Sequence, residues 1–340
     1  MRTMSQNNIA ETFQKCVQNR KDDPSLASTE AYRLFNGYYE GLSGLVVDRY
    51  ANTIVISNHA KADQDLSISI FSILRAIQKH LPEIENVLLK SRHSKIEEDS
   101  KGKFIFGASL PAQINENGVN YALDLRLNQD DSFYPDARNL RAWLKQNSEN
   151  KKVLNLFAYT GSLGIAALAG GASEVLQTDL DGRFLNLAKS SADLNNFSGE
   201  MKLWRSEFFK AIARLKQDKS LFDILILDPP FYSETARSVI DLQNEYVNLV
   251  NKVRPLVAHD GKLVLVNNAL FVPGSTMIDQ INQMSQSGYL SLEEIIAVPE
   301  DVSGYPSTVL SKPPVDPSPF NHPTKISILH ITRKDEAKAR

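Results

Sequence analysis

The residues whose types and spacing carry most chemistry run from Val153 to Asp179, VLNLFAYTGSLGIAALAGGASEVLQTD. An apolar run, Val153 to Phe157, meets a turn built on Thr160, Gly161 and Ser162. An Ala-rich helix follows, and a second apolar run closes on Asp179. A carboxylate about twenty residues past a glycine turn lies at the distance where ribose hydroxyls are held in Rossmann-like folds. Gly161 permits the close backbone approach that an extended ligand needs at the carboxyl end of a strand. The helix start beyond it offers free N–H groups to an anion. Gly164 is the next glycine, so the full G-x-G-x-x-G of a pyrophosphate site is absent, and a smaller anion such as a carboxylate fits better.

Downstream, LFDILILDPPFYS (Leu221 to Ser233) reads as a strand ending in Asp228-Pro229-Pro230-Phe231. The two prolines fix the loop and remove backbone donors, so Asp228 and the neighbouring carbonyls, that of Pro229 included, face the target. Phe231 can stack a planar base. Asp179, with Leu180 beside it, is expected to accept from both ribose hydroxyls, which needs an ionised carboxylate. Glu207, in RSEFF, either accepts from an adenine amino group or caps the helix that starts at Phe208. Asp181 reads as a surface acid. Strand, glycine turn, ribose acid and DPPF, in that order, point to S-adenosyl-L-methionine and methyl transfer. In-line alignment of nucleophile, methyl and sulfur at about 3 Å would then supply most of the rate.

Composition sets the bounds. The chain has 340 residues, an ordinary apolar fraction and one cysteine, Cys16. There is no disulfide framework and no thiolate metal site. The six histidines are scattered, none at a metal-ligand spacing, and His80 and His259 read as helix-end or surface residues. No metal is expected. The polar N-terminus lacks the apolar core of a signal peptide, and no run is long enough to span a membrane, so a cytoplasmic protein is the expectation. A net charge of −2 argues against indiscriminate coating of nucleic acid without excluding a basic patch. Lys90, Arg92, Lys95, Lys101 and Lys103 cluster in one segment, but Glu97, Glu98 and Asp99 interrupt it, and such a mixed-charge run reads first as a solvated loop.

These motifs need strands and helices to position them. Residues 1–30 read as a helical extension (Ile9 to Gln18) with a linker, and 31–112 as a small α+β domain for substrate recognition or dimerisation. Within it, Leu45 to Asp48 and Thr53 to Ser57 form a hairpin, Leu66 to His80 an amphipathic helix, and Val87 to Lys90 and Lys103 to Phe106 strands. Residues 113–135 hold a hairpin turning at Asn117-Gly118, type I′, and a connecting loop. From 136 to 335 strand and helix alternate, which predicts a mostly parallel doubly wound α/β sheet. Ala236 to Val253 is expected to be one helix. Ser291 to Ala297 and Ile326 to Ile331 would complete the sheet, and the proline-rich 315–323 stretch would be a loop.

Residues 32–332 resemble the bacterial large-subunit ribosomal RNA methyltransferases that join a small β-rich domain to a Class I, Rossmann-like methyltransferase domain. The resemblance rests on GLSGLVVDRY (41–50), DSFYPDARNLR (131–141), NLFAYTGS (155–162) and LDPPFYS. It implies RNA as partner, no membrane, and pairing of two chains through the β-rich domain. It implies that Phe133, Asp136 and Arg138 form a lip over S-adenosylmethionine and that Asn155, Phe157 and Thr160 line its pocket. That family's N-terminal RNA-binding module is not evident in residues 1–30. Cytosine-C5 members attack the ring with a cysteine after the fifth strand. Here that position reads Val266-Asn267-Asn268. Guanine N7 has an in-plane lone pair and needs no such activation, so a guanine ring nitrogen is the expected target, with Asn267 or Asn268 orienting the base. Methylation of an exocyclic amine, with Asp228 and the Pro229 carbonyl as acceptors, stays open. The rivals are a small-molecule or protein substrate, or a cofactor-binding RNA binder without catalysis.

Overall fold

The computed structural model describes residues 6–61, 65–235, 238–242 and 246–334. They divide into two units, Met1–Pro135 with Pro299–Pro313, and Asp136–Val298 with Pro314–Arg340.

The first unit is built on a five-stranded sheet in the order β1 (Ala31–Asn36), β2 (Leu45–Tyr50), β3 (Thr53–Asn58), β4 (Asn86–Ser91), β5 (Lys103–Phe106). Its helices are α1 (Gln6–Lys21), α2 (Gly37–Glu40), α3 (Ser67–His80), α4 (Glu97–Lys101) and, from the 299–313 segment, α11 (Glu300–Ser303). Only β3 and β4 pair in parallel, and the long crossover that parallel pairing needs is supplied by α3. A hairpin of β6 (Gln113–Glu116) and β7 (Val119–Ala122) turns at Asn117 and Gly118, whose φ values of 53° and 77° fit the expected type I′ turn.

Helix α1, within the expected helical extension, packs into the core of this unit. Its Ile9, Phe13, Cys16 and Val17 share one core with Leu34, Val47, Ile54 and the α3 residues Ile73 and Ile77. The same helix carries a buried ion pair. Arg20 donates to both oxygens of Glu40 at 2.6 and 3.1 Å, and neither side chain is exposed. Glu40 also accepts from the Asn36 amide and the Thr308 hydroxyl, and Arg20 donates to the Asp301 carbonyl. The segment 299–313, placed with the catalytic domain on the sequence pattern, thus belongs to this unit.

The second unit has seven strands in the order β10 (Glu200–Arg205), β9 (Glu174–Asp179), β8 (Lys152–Leu156), β11 (Phe222–Leu227), β14 (Val257–Asn267), β16 (Lys325–Ile331), β15 (Leu290–Ile296). Strands β8 to β11 and β14 are parallel; β16 is antiparallel to both of its neighbours. One face of the sheet packs Leu154, Leu156, Leu225, Leu227 and Leu265 against α8 (Phe208–Gln217), α9 (Tyr246–Val253) and α10 (Gly274–Ser285). Alternate residues point the other way. There Val153, Asn155, Val175, Gln177 and Ile226 are buried, on the side of α6 (Ser162–Ala169) and α7 (Gly182–Asp193), with α5 (Arg138–Asn147) packed on α6. The doubly wound α/β sheet expected from the pattern is therefore present.

The single helix expected over 236–253 is corrected. Only Tyr246–Val253 is helical, and β12 (Tyr232–Thr235) pairs antiparallel with β13 (Ser238–Asp241). Val239 and Ile240 are β-branched and favour a pleated strand over a helix. The rest of that expectation, 236–237 and 243–245, lies outside the described residues.

Glu40→Ala leaves the Arg20 guanidinium buried without its partner, so it should cost about 3–5 kcal/mol. Urea unfolding followed by circular dichroism checks this; a loss below about 1 kcal/mol would show that the pair does not hold α1 to the sheet.

Candidate active site

Chain order reverses between β8 and β11: β9 and β10 lie on one side of β8, and β11 and β14 on the other. Ligands of open α/β sheets bind at such a switch point, outside the carboxyl ends of the strands. The loops leaving β8, β9, β11 and β14 are the ones that begin with Phe157, Leu180, Asp228 and Asn268.

The loop after β8 is compressed. Phe157 and Tyr159 have φ of 57° and 50°, and Gly161 follows at 79°. Left-handed backbone at two non-glycine residues costs about 1–3 kcal/mol each and collects at functional sites. A Cβ on Gly161 would stand 2.5 Å from the Ala188 Cβ and 2.9 Å from the Gln177 amide; one on Gly164 would stand 2.5 Å from Gln177. Both glycines are therefore needed to bring the backbone onto β9 and α7. No side chain caps α6 at Gly161, so its first-turn amides are available to an anion. Thr160 is buried. Phe157 stacks on Phe208 at 4.8 Å.

Asp179 ends β9 and is half-buried. Its two carboxylate oxygens accept from the amides of Tyr159 (2.8 Å) and Asp181 (3.0 Å), which ties the acid to the glycine turn. Burial raises its pKa, and those amide hydrogen bonds oppose the rise. Leu180 is exposed beside it. Asp181 caps α7 through the Arg183 amide. Glu207 caps α8, accepting from the Lys210 amide at 3.0 Å. Asn155 donates to the Gln177 carbonyl oxygen at 3.0 Å, and its own Oδ1 is buried without a partner.

On the other side of the switch point, burial and then the neighbouring Asp136 push Asp228 up to about 7. Asp136 accepts from the Thr324 hydroxyl at 3.3 Å. The Tyr246 phenol donates to the Val266 carbonyl, and burial plus the Asp228 charge keep it protonated. Asn268 donates to the Pro229 carbonyl at 3.4 Å, joining the loops after β11 and β14 and leaving its Oδ1 buried without a partner. Asn267 accepts from the Ala269 amide at 3.0 Å, which leaves its Nδ2 as a buried donor without a partner. Each such orphan costs about 1–3 kcal/mol. The unused groups are one acceptor and one donor on successive residues.

Asp228, Pro229, Asn267 and Asn268 are thus brought together, and Asp179 is brought to Gly161. Arg138 is buried in the same unit as Asp136. Phe133 belongs to the first unit, its ring 5.0 Å from Tyr121 and its carbonyl accepting from the Tyr50 hydroxyl. Gln177, Tyr246, Thr324 and Lys325 escaped the sequence reading. Gln177 and Lys325 did leave a signal, a polar residue inside or opening an otherwise apolar strand. The Lys325 ammonium donates to the carbonyls of Ala269 (3.0 Å) and Pro323 (2.6 Å), and burial lowers its pKa to about 8. Among the described residues no cluster of His, Cys, Asp or Glu could hold a metal ion, and no helix is long and apolar enough to cross a membrane.

The sequence model of the S-adenosylmethionine-dependent methyltransferases matches residues 85–311. The chain belongs to that family. The methyltransferase is 32% identical over 240 residues to ribosomal RNA large subunit methyltransferase I of Aeromonas hydrophila, covering 68% of this chain and 59% of that one. It is 27% identical over 266 residues to ribosomal RNA large subunit methyltransferase K/L of Alteromonas mediterranea, covering 76% and 38%. It therefore spans well under two thirds of those relatives' length. Its fold matches a protein assigned as an S-adenosylmethionine-dependent methyltransferase from Streptococcus mutans, with a TM-score of 0.81 at 22% identity, over 97% of this chain and 83% of that one. A structure described as a methyltransferase complexed with SAH superposes with a TM-score of 0.82 at the same identity and coverage.

Gly161→Ala should weaken S-adenosylmethionine binding at least about tenfold, or ~1.4 kcal/mol, by titration calorimetry. Unchanged affinity in a folded variant would show that the cofactor does not lie on this turn.

Proposed function

We propose that this methyltransferase modifies large-subunit ribosomal RNA by direct in-line transfer to a guanine ring nitrogen. The observation that carries the reading is the pair of amides closing β14, Asn267 and Asn268, tied to Pro229 beside Asp228. The one thiol of the chain gives no covalent route. Cys16 sits in the core of the first unit, and burial, with the charge of Glu40, pushes it up to about 12. A thiol that stays protonated cannot attack a pyrimidine ring. The names of the two relatives support ribosomal RNA as the substrate class.

In this reading Gly161 and the α6 amides take the cofactor's carboxylate and Asp179 its ribose hydroxyls. Asn155, Phe157, Thr160 and Leu180 line the pocket, with Asp136 and Arg138 at its lip. Glu207 can face the adenine while still capping α8, since a carboxylate has further lone pairs. Bound S-adenosylmethionine supplies an electrophilic methyl group. Phe231 stacks the base, and the Asn267 donor and Asn268 acceptor hold its edge. Alkylating guanine N7, which carries an in-plane lone pair and no hydrogen, leaves a cation and needs no proton removed. An ionised Asp228, accepting from the base's N–H groups, would stabilise the positive charge as it develops. Pairing of two chains through the first unit belongs to the same reading.

The test is transfer of labelled methyl from S-adenosylmethionine by the purified protein into RNA and protein fractions of cells lacking its gene. Label in large-subunit RNA, lost with Asp228→Ala, is the expected result, and digestion then identifies the base. Label confined to protein or small molecules would overturn the RNA reading.

The Asp228 pKa carries a sign. It lies above its unfolded value, so the folded protein holds this proton through the range from about 4 to about 7. Stability from this group is present at low pH and is lost as pH rises through 7, while the charge needed for catalysis appears. kcat/KM should therefore rise with pH to a plateau above about 7, and Asp228→Asn should flatten that rise while gaining more thermal stability at pH 8 than at pH 5. A rise unchanged in the Asn variant would assign the titration elsewhere.

A further inference from the structure

The turn that follows Asn268 carries the wrong residues for a turn. The Val272 amide donates to the Ala269 carbonyl at 3.2 Å, which places Leu270 and Phe271 at the two central positions. Glycine, proline, asparagine, aspartate and serine dominate such positions because they suit the backbone and the solvent. Here Leu270 is 50% exposed and Phe271 70%, while Ala269 and Val272, on either side, are buried in the sheet's core.

The turn is also held with unusual care. The Ala269 amide is bound by the Asn267 side chain and its carbonyl by the Lys325 ammonium, which also grips Pro323. Burying that ammonium costs free energy, so the turn's position has been stabilised at the expense of the residue that holds it. The ladder puts Lys325 opposite Asn267, so its grip acts on the strand end next to the orphaned amides.

The neighbouring loop presents a second pair of exposed apolar side chains. Phe231 is 44% exposed and Tyr232 56%. Strands β11 and β14 pair side by side, about 4.8 Å apart, and Asn268 binds their two loops together. Exposed rings beside buried, unused hydrogen-bonding groups are what a nucleobase meets in a single-strand site, where faces stack and edges pair.

We propose that Phe271, presented by the Ala269–Val272 turn with Leu270, stacks a nucleobase adjacent to the one that is methylated. The proposal rests on the RNA reading above and narrows it: the substrate is an RNA segment whose bases at and beside the target are unstacked from a duplex. Phe271 is then a positioning residue, and Lys325 positions it in turn.

The experiment compares wild type with Phe271→Ala, Phe271→Leu and Phe271→Trp, using S-adenosylmethionine and large-subunit ribosomal RNA from cells lacking the gene. Removing one stacked base–aromatic contact should lower kcat/KM for RNA by about 5- to 150-fold. Cofactor affinity by calorimetry should stay within about twofold, because the cofactor lies across the switch point. The Trp variant should restore transfer where the Leu variant does not, which separates ring stacking from apolar contact. Its added indole should also be quenched by RNA, measured against wild type with its own two tryptophans. RNA labelled by wild type and by Phe271→Ala at rates within twofold would overturn the inference and leave the RNA reading standing. Full activity in Phe271→Leu would likewise overturn stacking. No label in RNA with wild type would remove both readings together.

Discussion

Everything at this site depends on parallel pairing of β8 with β9 on one side and β11 on the other. Parallel strands deliver their carboxyl ends to one edge, and the reversal of chain order between β8 and β11 leaves a crevice there that no crossover helix covers. Four loops far apart in sequence open on that edge. The glycine turn, Asp179, the DPPF loop and the asparagine pair are neighbours for this reason alone.

The two sides of the crevice are held by different physics. On the β8–β9 side the constraint is steric. Gln177 and Ala188 leave no room for a Cβ at Gly161 or Gly164, and the adjoining residues accept left-handed backbone to make the turn. Asp179 locks that turn through the Tyr159 amide, so the carboxylate closing β9 fixes the loop leaving β8. On the β11–β14 side the constraint is electrostatic. Burial pushes Asp228 up to about 7, keeps the Tyr246 phenol protonated and lowers Lys325 to about 8, while Asp136 accepts from the Thr324 hydroxyl. Holding such groups off their ordinary protonation equilibria spends stability on preorganisation.

The first unit is stabilised independently of that edge. Its sheet is closed by α1 through a shared apolar core and through the Arg20–Glu40 pair, whose remaining lone pairs are met by Asn36 and Thr308. A buried pair is tolerable only when its further hydrogen-bonding capacity is satisfied in this way. The chain leaves the catalytic sheet after Val298 and returns before Pro314 to supply part of that network, Asp301 and Thr308.

Much of this was legible in the residues. Apolar runs such as VLNLF and ILIL could only be strands buried on both faces, the Asn117-Gly118 turn could only close a hairpin of one hand, and Asp179 stood at ribose distance from Gly161. Those features are local: they depend on side-chain period, backbone freedom and spacing along one chain. The helix expected over 236–253 failed because helical spacing and strand preference compete there. Lys325 stood out only as a polar residue opening an apolar strand, which marks a position without giving it a role. Only the antiparallel return of β16 beside β14 places it opposite Asn267, 58 positions away in the chain. The same holds for Asp136 and Asp228, and for Phe271, whose exposure follows from what buries Ala269 and Val272. Sequence determined the elements and the types of group available. The tertiary structure decided which of them share a crevice and which are desolvated, because both depend on contacts between segments whose separation no local pattern records.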